Sequence, residues 1–399
     1  MILVGDYIAK KKTVSCLVTG SGQQILANLE APICTNSLLR AALKAGPNLS
    51  SVSLGMECEE FIFNLANNHM MDYGEDGLRQ TCAYLGERGI RYVGAGMNRT
   101  AARQPIIVME SGKRIGIIGC REAQFGSAQI DAAGCADMGL WVFDAVRELK
   151  VTCDYVIVSC HAALEHSPFP SPHLRDFYHH LIEAGADVIH GHHAHIPQGW
   201  EPYKGGVIFY GLGNFVVDPV AWKKRNYLWS NVVELAFGDS GIAWKVKPVE
   251  VDPNAEGIVV REPVPENTDY YTRYMEIANG ALVDDETLEG YWQEVCSRLF
   301  DQLYGMPLHC PGFVKNHLTC RNRARYMVDA MADVWTAVSG RKRVTARTRV
   351  RAANFYNCFL CESHVDAITT ACGLGLGNVH DCRTPKMVAD CDFMRVEDL

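Results

Sequence analysis

Five places in the chain carry side chains able to hold a metal ion or move a proton, and four of them follow a short apolar run. Asp6 follows Ile2 to Val4, Asn67-Asn68-His69 follows Phe61 to Leu65, and His161 follows Tyr155 to Ser159. His190, His192, His193 and His195 arrive where Val188-Ile189 ends, and Glu30 closes the run Asn28-Leu29-Glu30. Oxygen and nitrogen donors without thiolate suit Mn, Fe or Zn in a catalytic centre better than a closed structural zinc site. The chemistry they point to is activation of water, with the carboxylates of Asp6 and Glu30 offsetting the charge of one or two divalent ions. Taken singly, Asp6 could cap a turn, Glu30 could lie on the surface, Asn67-Asn68-His69 could close a hydrogen-bonded turn and His161 could be a satisfied interior histidine. The histidine run is different, because four imidazoles in six residues at the end of an apolar strand are costly to bury without partners. His193-Ala194-His195 can aim two rings at one site from a turn, while His190 and His192 can orient ligands from behind. Spacing alone leaves open which rings face a metal.

Such residues need a frame. Uniformly apolar strands at Ile2 to Val4, Phe61 to Leu65, Ile115 to Ile118, Tyr155 to Ser159, Val188 to Ile189 and Val207 to Tyr210 predict a sheet covered on both faces. Helical spacing over Asp76 to Arg88 and His173 to Ala184, stopped by Gly89 and Gly185, supplies the covers. In such α/β structures strand ends gather at one edge, where ligands bind. Val232 to Val251 alternates as antiparallel strands do, and the Pro- and acid-containing stretch after it is read as a boundary. The expected organisation is a catalytic domain over 1–251, a linker over 252–265 and a helix-rich, cysteine-rich region over 266–399 that could lid the pocket. Within that last region Tyr270 to Leu303 and Ala324 to Val338 read as helical, and the basic run Arg341 to Arg351 reads as a solvated face. Cys358 and Cys361 have the spacing of half a zinc site, with His364, Cys372, His380 and Cys382 nearby, but no second CxxC completes it, so packing thiols are expected.

Composition narrows the partners. The 399 residues carry a formal net charge of −8, which disfavours nonspecific binding to nucleic acid or anionic membrane and favours small substrates or proteins. The opening Met1-Ile2-Leu3-Val4-Gly5 is too short an apolar stretch for a signal peptide or membrane span, so a cytoplasmic protein with its sixteen cysteines reduced is expected. A homo-oligomer is compatible with all of this.

In order along the chain, Gly5-Asp6, Asn28-Leu29-Glu30, Ala66-Asn67-Asn68-His69 with Asp72-Tyr73-Gly74, Gly94-Ala95-Gly96, His161 with Glu165, Gly191-His192-His193-Ala194-His195 and Leu212-Gly213-Asn214-Phe215 resemble the CapA, or poly-γ-glutamate capsule-synthesis, family within the calcineurin-like metallophosphoesterase superfamily. The resemblance covers residues 1 to about 220. It implies an α/β/β/α sandwich of four layers. It implies Asp6, Glu30, Asn68, His161, His193 and His195 as metal ligands, with His69 aiding the leaving group or orienting phosphate. Asn67, Glu165, His192 and Asn214 would touch substrate or support the ligands. Two departures stand out. Ile8 occupies the position where the wider superfamily places a histidine, which weakens the expectation of two metals. Ala162-Ala163-Leu164-Glu165-His166 replaces the family's Trp-Gly and Glu-Tyr after His161, which implies a changed substrate wall. The expected function is a metal-dependent, phosphoesterase-type hydrolase. The alternatives are a non-hydrolytic factor in making poly-γ-glutamate or a γ-glutamyl peptide, and a specialised biosynthetic metalloenzyme with an unusual small substrate.

Overall fold

Strands buried on both faces need cover on both, and the chain meets this demand with two sheets stacked between helices. The computed structural model describes residues 1–9, 14–16, 23–34, 39–56, 60–300, 304 and 346–396. The first sheet has nine strands, in the order Val14–Cys16, Ile258–Arg261, Gly241–Val251, Trp229–Gly238, Ile2–Tyr7, Ile25–Leu29, Phe61–Asn64 and Arg91–Val93, with Asn214–Val216 also pairing Ile2–Tyr7. The second has six, in the order Trp200–Tyr203, Gly206–Phe209, Val188–His192, Tyr155–His161, Lys113–Arg121 and Ile106–Glu110.

Alternation along each strand decides which layer a side chain joins. Leu3, Leu26 and Ile62 of the first sheet meet Ile117, Ile157, Val188 and Phe209 of the second in a central core. Their neighbours Ile2, Val4 and Phe63 point the other way, into a layer shared with Leu78 and Leu85 of the helix Gly74–Glu87. On the far side Ile118, Val156, Val158 and Ile189 pack under the helices Leu140–Thr152 and Pro172–Glu183. The result is the expected four layers. Gly89 and Gly185, read as helix stops, take φ of 66° and 117°, the left-handed region that glycine enters at little cost.

The C-terminal helices share this last core. Tyr271 and Tyr274 of the helix Pro265–Gly280 pack on Trp229, with the Tyr271 ring stacked at 4.2 Å, and Trp292 of the helix Asp285–Leu299 joins the same cluster. Arg175 ties the layers together by donating to Glu201, to the Leu282 carbonyl and to Asp285. The stretch read as a linker contains Ile258–Arg261, which extends the first sheet by pairing with Glu250 and Val251. Its Ile-Val-Val run carries β-propensity that outweighs the prolines and acids around it. The stretch from Tyr270 to Leu303, read as helical, forms the helices Pro265–Gly280 and Asp285–Leu299, the second capped by the Asp284 side chain at the Thr287 amide, while residues 301–303 lie outside the described residues. The expected helix 324–338 and residues 341–345 of the basic run lie outside the described residues; Ala346–Leu360 is helical. Each described cysteine is a free thiol, and Cys358 and Cys361 are buried. Among the described residues, no helix is long and apolar enough to cross a membrane.

Candidate metal centre

The C-terminal ends of the parallel strands in both sheets meet at one edge, and the register brings the polar residues level. Asp6 pairs with Asn28 and Asn214 in the first sheet, Asn28 with Asn64, and His161 with His192 in the second. Two glycines permit the backbone approaches behind them. A Cβ on Gly5 would fall 1.7 Å from the Gly213 carbonyl oxygen, and one on Gly191 would fall 2.0 Å from that of Tyr210. His193 and His195 then leave the strand with φ of 95° and 61°, a conformation L-residues adopt at a cost and one that is concentrated at functional sites.

These constraints gather two groups of potential ligand atoms, Asp6 with His161 and His192, and Glu30 with His193 and His195, each within 4.8 Å of one another. All six residues are buried. His195 joins the groups, its Nδ1 lying 3.4 Å from Asp6 Oδ2 and its Nε2 3.3 Å from Glu30 Oε1. Asp6 Oδ2, Glu30 Oε1 and His193 Nδ1 are buried without a hydrogen-bond partner. Such atoms are costly unless something binds them. Burial alone would lower the His195 pKa, but the Glu30 and Asp6 carboxylates push it up to about 10, while burial raises the Glu30 carboxyl well above the usual carboxylate range. Burial and neighbouring imidazoles hold His161 and His192 well below their ordinary value, and burial takes His193 down to about 3, which keeps their nitrogen lone pairs free. Orphaned acid oxygens, neutral imidazoles and an absence of thiolate in both groups fit a divalent transition metal.

Each ligand candidate is oriented by a partner. Asn28 Nδ2 donates to Asp6 Oδ1 at 2.8 Å and lies 3.2 Å from His161 Nδ1, while Asn67 donates to Asn28 Oδ1 and to the Leu29 carbonyl. Asn64 Nδ2 lies 3.2 Å from His192 Nε2, and Asn214 Oδ1 lies 3.1 Å from His195 Nδ1. Asn68 Oδ1 is 3.1 Å from His161 Nε2, and Asn68 Nδ2 donates weakly to half-buried Glu165 at 3.5 Å. His69 stands on the same loop with Nδ1 2.7 Å from Asp72 Oδ2, and Lys44 closes the arrangement at 2.9 Å from Asp72 Oδ1.

All the residues expected from the sequence therefore come to one edge, with one shift of emphasis. His192, read as a supporting residue, sits in the Asp6 and His161 group, whereas His190 is turned to the Val4 carbonyl and Ser159 and is structural. Ile8 is fully buried and offers no ligand atom to either group. Sequence reasoning missed Lys44, Asn64, Gln124, Glu122 and Ser363. Glu122 Oε1 lies 3.4 Å from His193 Nε2, beside Gln124 Nε2 at 3.0 Å. The Ser363 amide and hydroxyl, at the start of the helix Glu362–Leu376, donate to Glu122 at 3.0 and 3.1 Å. Burial pushes Glu122 up to about 7 against the pull of these donors. No local pattern could have joined residues 241 positions apart.

The family comparison covers the centre from Glu30 to Asn214 and leaves Asp6 outside. The family described as "Bacterial capsule synthesis protein PGA_cap" matches residues 19–219. "Capsule biosynthesis protein CapA" of Bacillus anthracis is 34% identical over 189 residues, covering 46% of this chain and 45% of that protein. "PGA biosynthesis protein CapA" of Bacillus subtilis (strain 168) is 28% identical over 253 residues, covering 61% of this chain and 66% of that protein. The chain thus spans 45% and 66% of the length of these two relatives. Among solved structures, a 5'-nucleotidase precursor from Thermus thermophilus aligns at 16% identity and a TM-score of 0.30, over 60% of this chain and 50% of that one.

Proposed function

The chain belongs to the bacterial capsule synthesis protein PGA_cap family, and from that premise we propose that the strand-edge centre is the active site of a metal-dependent hydrolase of phosphoester type. The observation that carries the reading is the pair of buried ligand groups whose acid oxygens have no protein partner. Asp6, Glu30, His161, His193 and His195, with His192 and Asn68, would hold one or two ions of Mn, Fe or Zn character. When bound, such an ion supplies Lewis acidity for a phosphoryl oxygen and lowers the pKa of water.

The remaining steps fall to side chains. Asp72 accepts from the His69 Nδ1–H, so the Nε2 lone pair is left to take a proton and return it to the leaving oxygen. Burial, with Lys44 nearby, lowers the His69 pKa, which keeps the ring neutral and ready for that exchange. Asn68 and Glu165 reach the rim beside His161 and are placed to orient substrate.

The test is turnover of a broad panel of phosphoesters, carboxylic esters and γ-glutamyl amides by protein loaded in turn with Mn, Fe and Zn. Metal-dependent cleavage within the phosphoester set is expected, and no cleavage anywhere in the panel would defeat the hydrolase reading. A non-hydrolytic role in handling a γ-glutamyl polymer is favoured by one observation, the similarity to the PGA biosynthesis protein CapA of Bacillus subtilis. Binding of oligo-γ-glutamate without turnover would select it. The biosynthetic metalloenzyme reading would require a small substrate outside both classes.

A further inference from the structure

Arg121 ends the strand Lys113–Arg121 directly opposite His161 of the neighbouring strand, and its side chain is wholly buried. A guanidinium keeps its charge wherever it sits, and taking it out of water is costly, so the atoms it reaches must answer for its place. Its Nε donates to Asp137 Oδ1 at 3.1 Å, one terminal nitrogen donates to the Asn67 carbonyl at 2.7 Å, and the other donates to the Gln124 carbonyl at 3.2 Å. These partners come from three separate segments, and Asn67 and Gln124 both border the metal centre. Exchanging a buried ion pair for apolar side chains of similar volume is often neutral or stabilising, so stability does not account for Arg121. Its connections do.

From Asn67 the hold passes to His69. With its carbonyl fixed by Arg121, Asn67 donates through Nδ2 to Asn28 Oδ1 at 3.0 Å and to the Leu29 carbonyl at 2.8 Å. Its Oδ1 accepts from the His69 amide at 3.1 Å and the Met70 amide at 2.8 Å, an Asx turn that sets the backbone of His69 before the ring meets Asp72. From Gln124 the hold passes to the other side of the centre, where Gln124 Nε2 lies 3.0 Å from His193 Nε2 and donates to Glu122 Oε1 at 3.3 Å. The backbone of Arg121 is itself pinned, its amide donating to the Ala136 carbonyl at 3.0 Å and its carbonyl accepting from the Met138 amide at 2.6 Å. Donors in a rigid fork span two loops in this way, whereas lysine has a single nitrogen and no such span.

We propose that Arg121 is a positioning residue for proton transfer to the leaving group, holding the His69 turn in register with the His193 side of the metal centre so that His69 Nε2 reaches the leaving oxygen. The proposal rests on the hydrolase reading for the proton transfer; the coupling of the two loops stands on the hydrogen bonds.

Two phosphate esters separate positioning from simple support. 4-Nitrophenolate leaves without a proton and ethoxide does not, so a misplaced His69 is felt by the ethyl ester. In metal-loaded R121M, turnover of ethyl phosphate is expected to fall about 100-fold, the cost of a misplacement of about 1 Å, and that of 4-nitrophenyl phosphate by less than about threefold, with saturating metal content unchanged. R121K should follow R121M rather than wild type. D137N loosens one contact at a partly exposed partner and should show the same selectivity in smaller measure, which keeps the test open if R121M does not fold. Equal losses with both esters would make Arg121 a structural residue and overturn the proposal. Amide hydrogen exchange of the full-length protein gives a readout without turnover. In R121M and D137N the His69 and Met70 amides are expected to lose protection by about tenfold or more beyond any change in global stability. Protection equal to that of wild type would overturn the proposal whatever the rates. Should wild-type protein cleave no phosphoester, the hydrolase reading fails and exchange decides the coupling, lost protection supporting it and unchanged protection refuting it.

Discussion

Replacing Asp6 with asparagine is expected to remove bound transition metal and to lower hydrolytic turnover by roughly two to three orders of magnitude, the several kcal/mol a metal contributes in the transition state. The substitution is chosen because it keeps shape. Asn28 donates to Asp6 Oδ1 at 2.8 Å, and an asparagine in that place retains a carbonyl oxygen to accept. What is lost is the negative charge and the second oxygen, Oδ2, which is buried without a hydrogen-bond partner and faces His195 at 3.4 Å. Metal content by mass spectrometry and thermal unfolding, measured together, separate the effects. Metal loss with an unfolding midpoint close to that of metal-free wild type assigns Asp6 to ligation. Full metal content and turnover in the variant would remove Asp6 from the centre.

The second large effect is expected at a distance from the ligands in sequence. Glu122→Gln should weaken metal affinity by about 10- to 100-fold, the usual cost of losing the carboxylate behind a ligating histidine. Glu122 stands behind the Nε2 of His193, and the other nitrogen of that ring, Nδ1, is the orphaned atom aimed at the centre. Ser363→Ala should reproduce a smaller loss in the same direction, because it deletes one of the donors that fix the Glu122 carboxylate and leaves the Ser363 amide and Gln124 in place. Metal titration of both variants checks the pair. The outcome decides whether the C-terminal helices merely cover the sandwich or position its chemistry. A result in which Glu122→Gln binds metal as wild type does would confine them to cover.

Much of this centre could be read in the sequence because strand ends and ligands coincide. Apolar runs ending at Asp6, His161 and His190 mark one edge, and Val188–His192 obeys the period of two that puts His190 and His192 on the same face. That face points to the first sheet, which explains why one ring meets the Val4 carbonyl and the other meets the Asp6 group. His193 and His195 escape such reasoning, since their left-handed φ values arise in the turn and are imposed by the packing around it. Glu30 was legible as a candidate carboxylate but was named a ligand only through its place in the resemblance, because a lone glutamate after Asn28-Leu29 gives no sign of full burial. Ser363 and Glu122 could not be paired at all. Their contact is made by docking of the C-terminal helices, which depends on Tyr271, Trp292 and their neighbours filling the outer core. The strand Ile258–Arg261 was hidden for the opposite reason, since prolines and acids around a four-residue run resemble a linker until its sheet partner Val251 is known.

The central claim is that Asp6, Glu30 and the histidines at the strand edge bind metal. Anomalous diffraction from crystals grown with Mn tests it most directly. The account predicts a peak between Asp6 and His195, within coordination distance of at least one atom from each of the two ligand groups. Crystals grown with ample Mn that show no anomalous peak at this edge would contradict it.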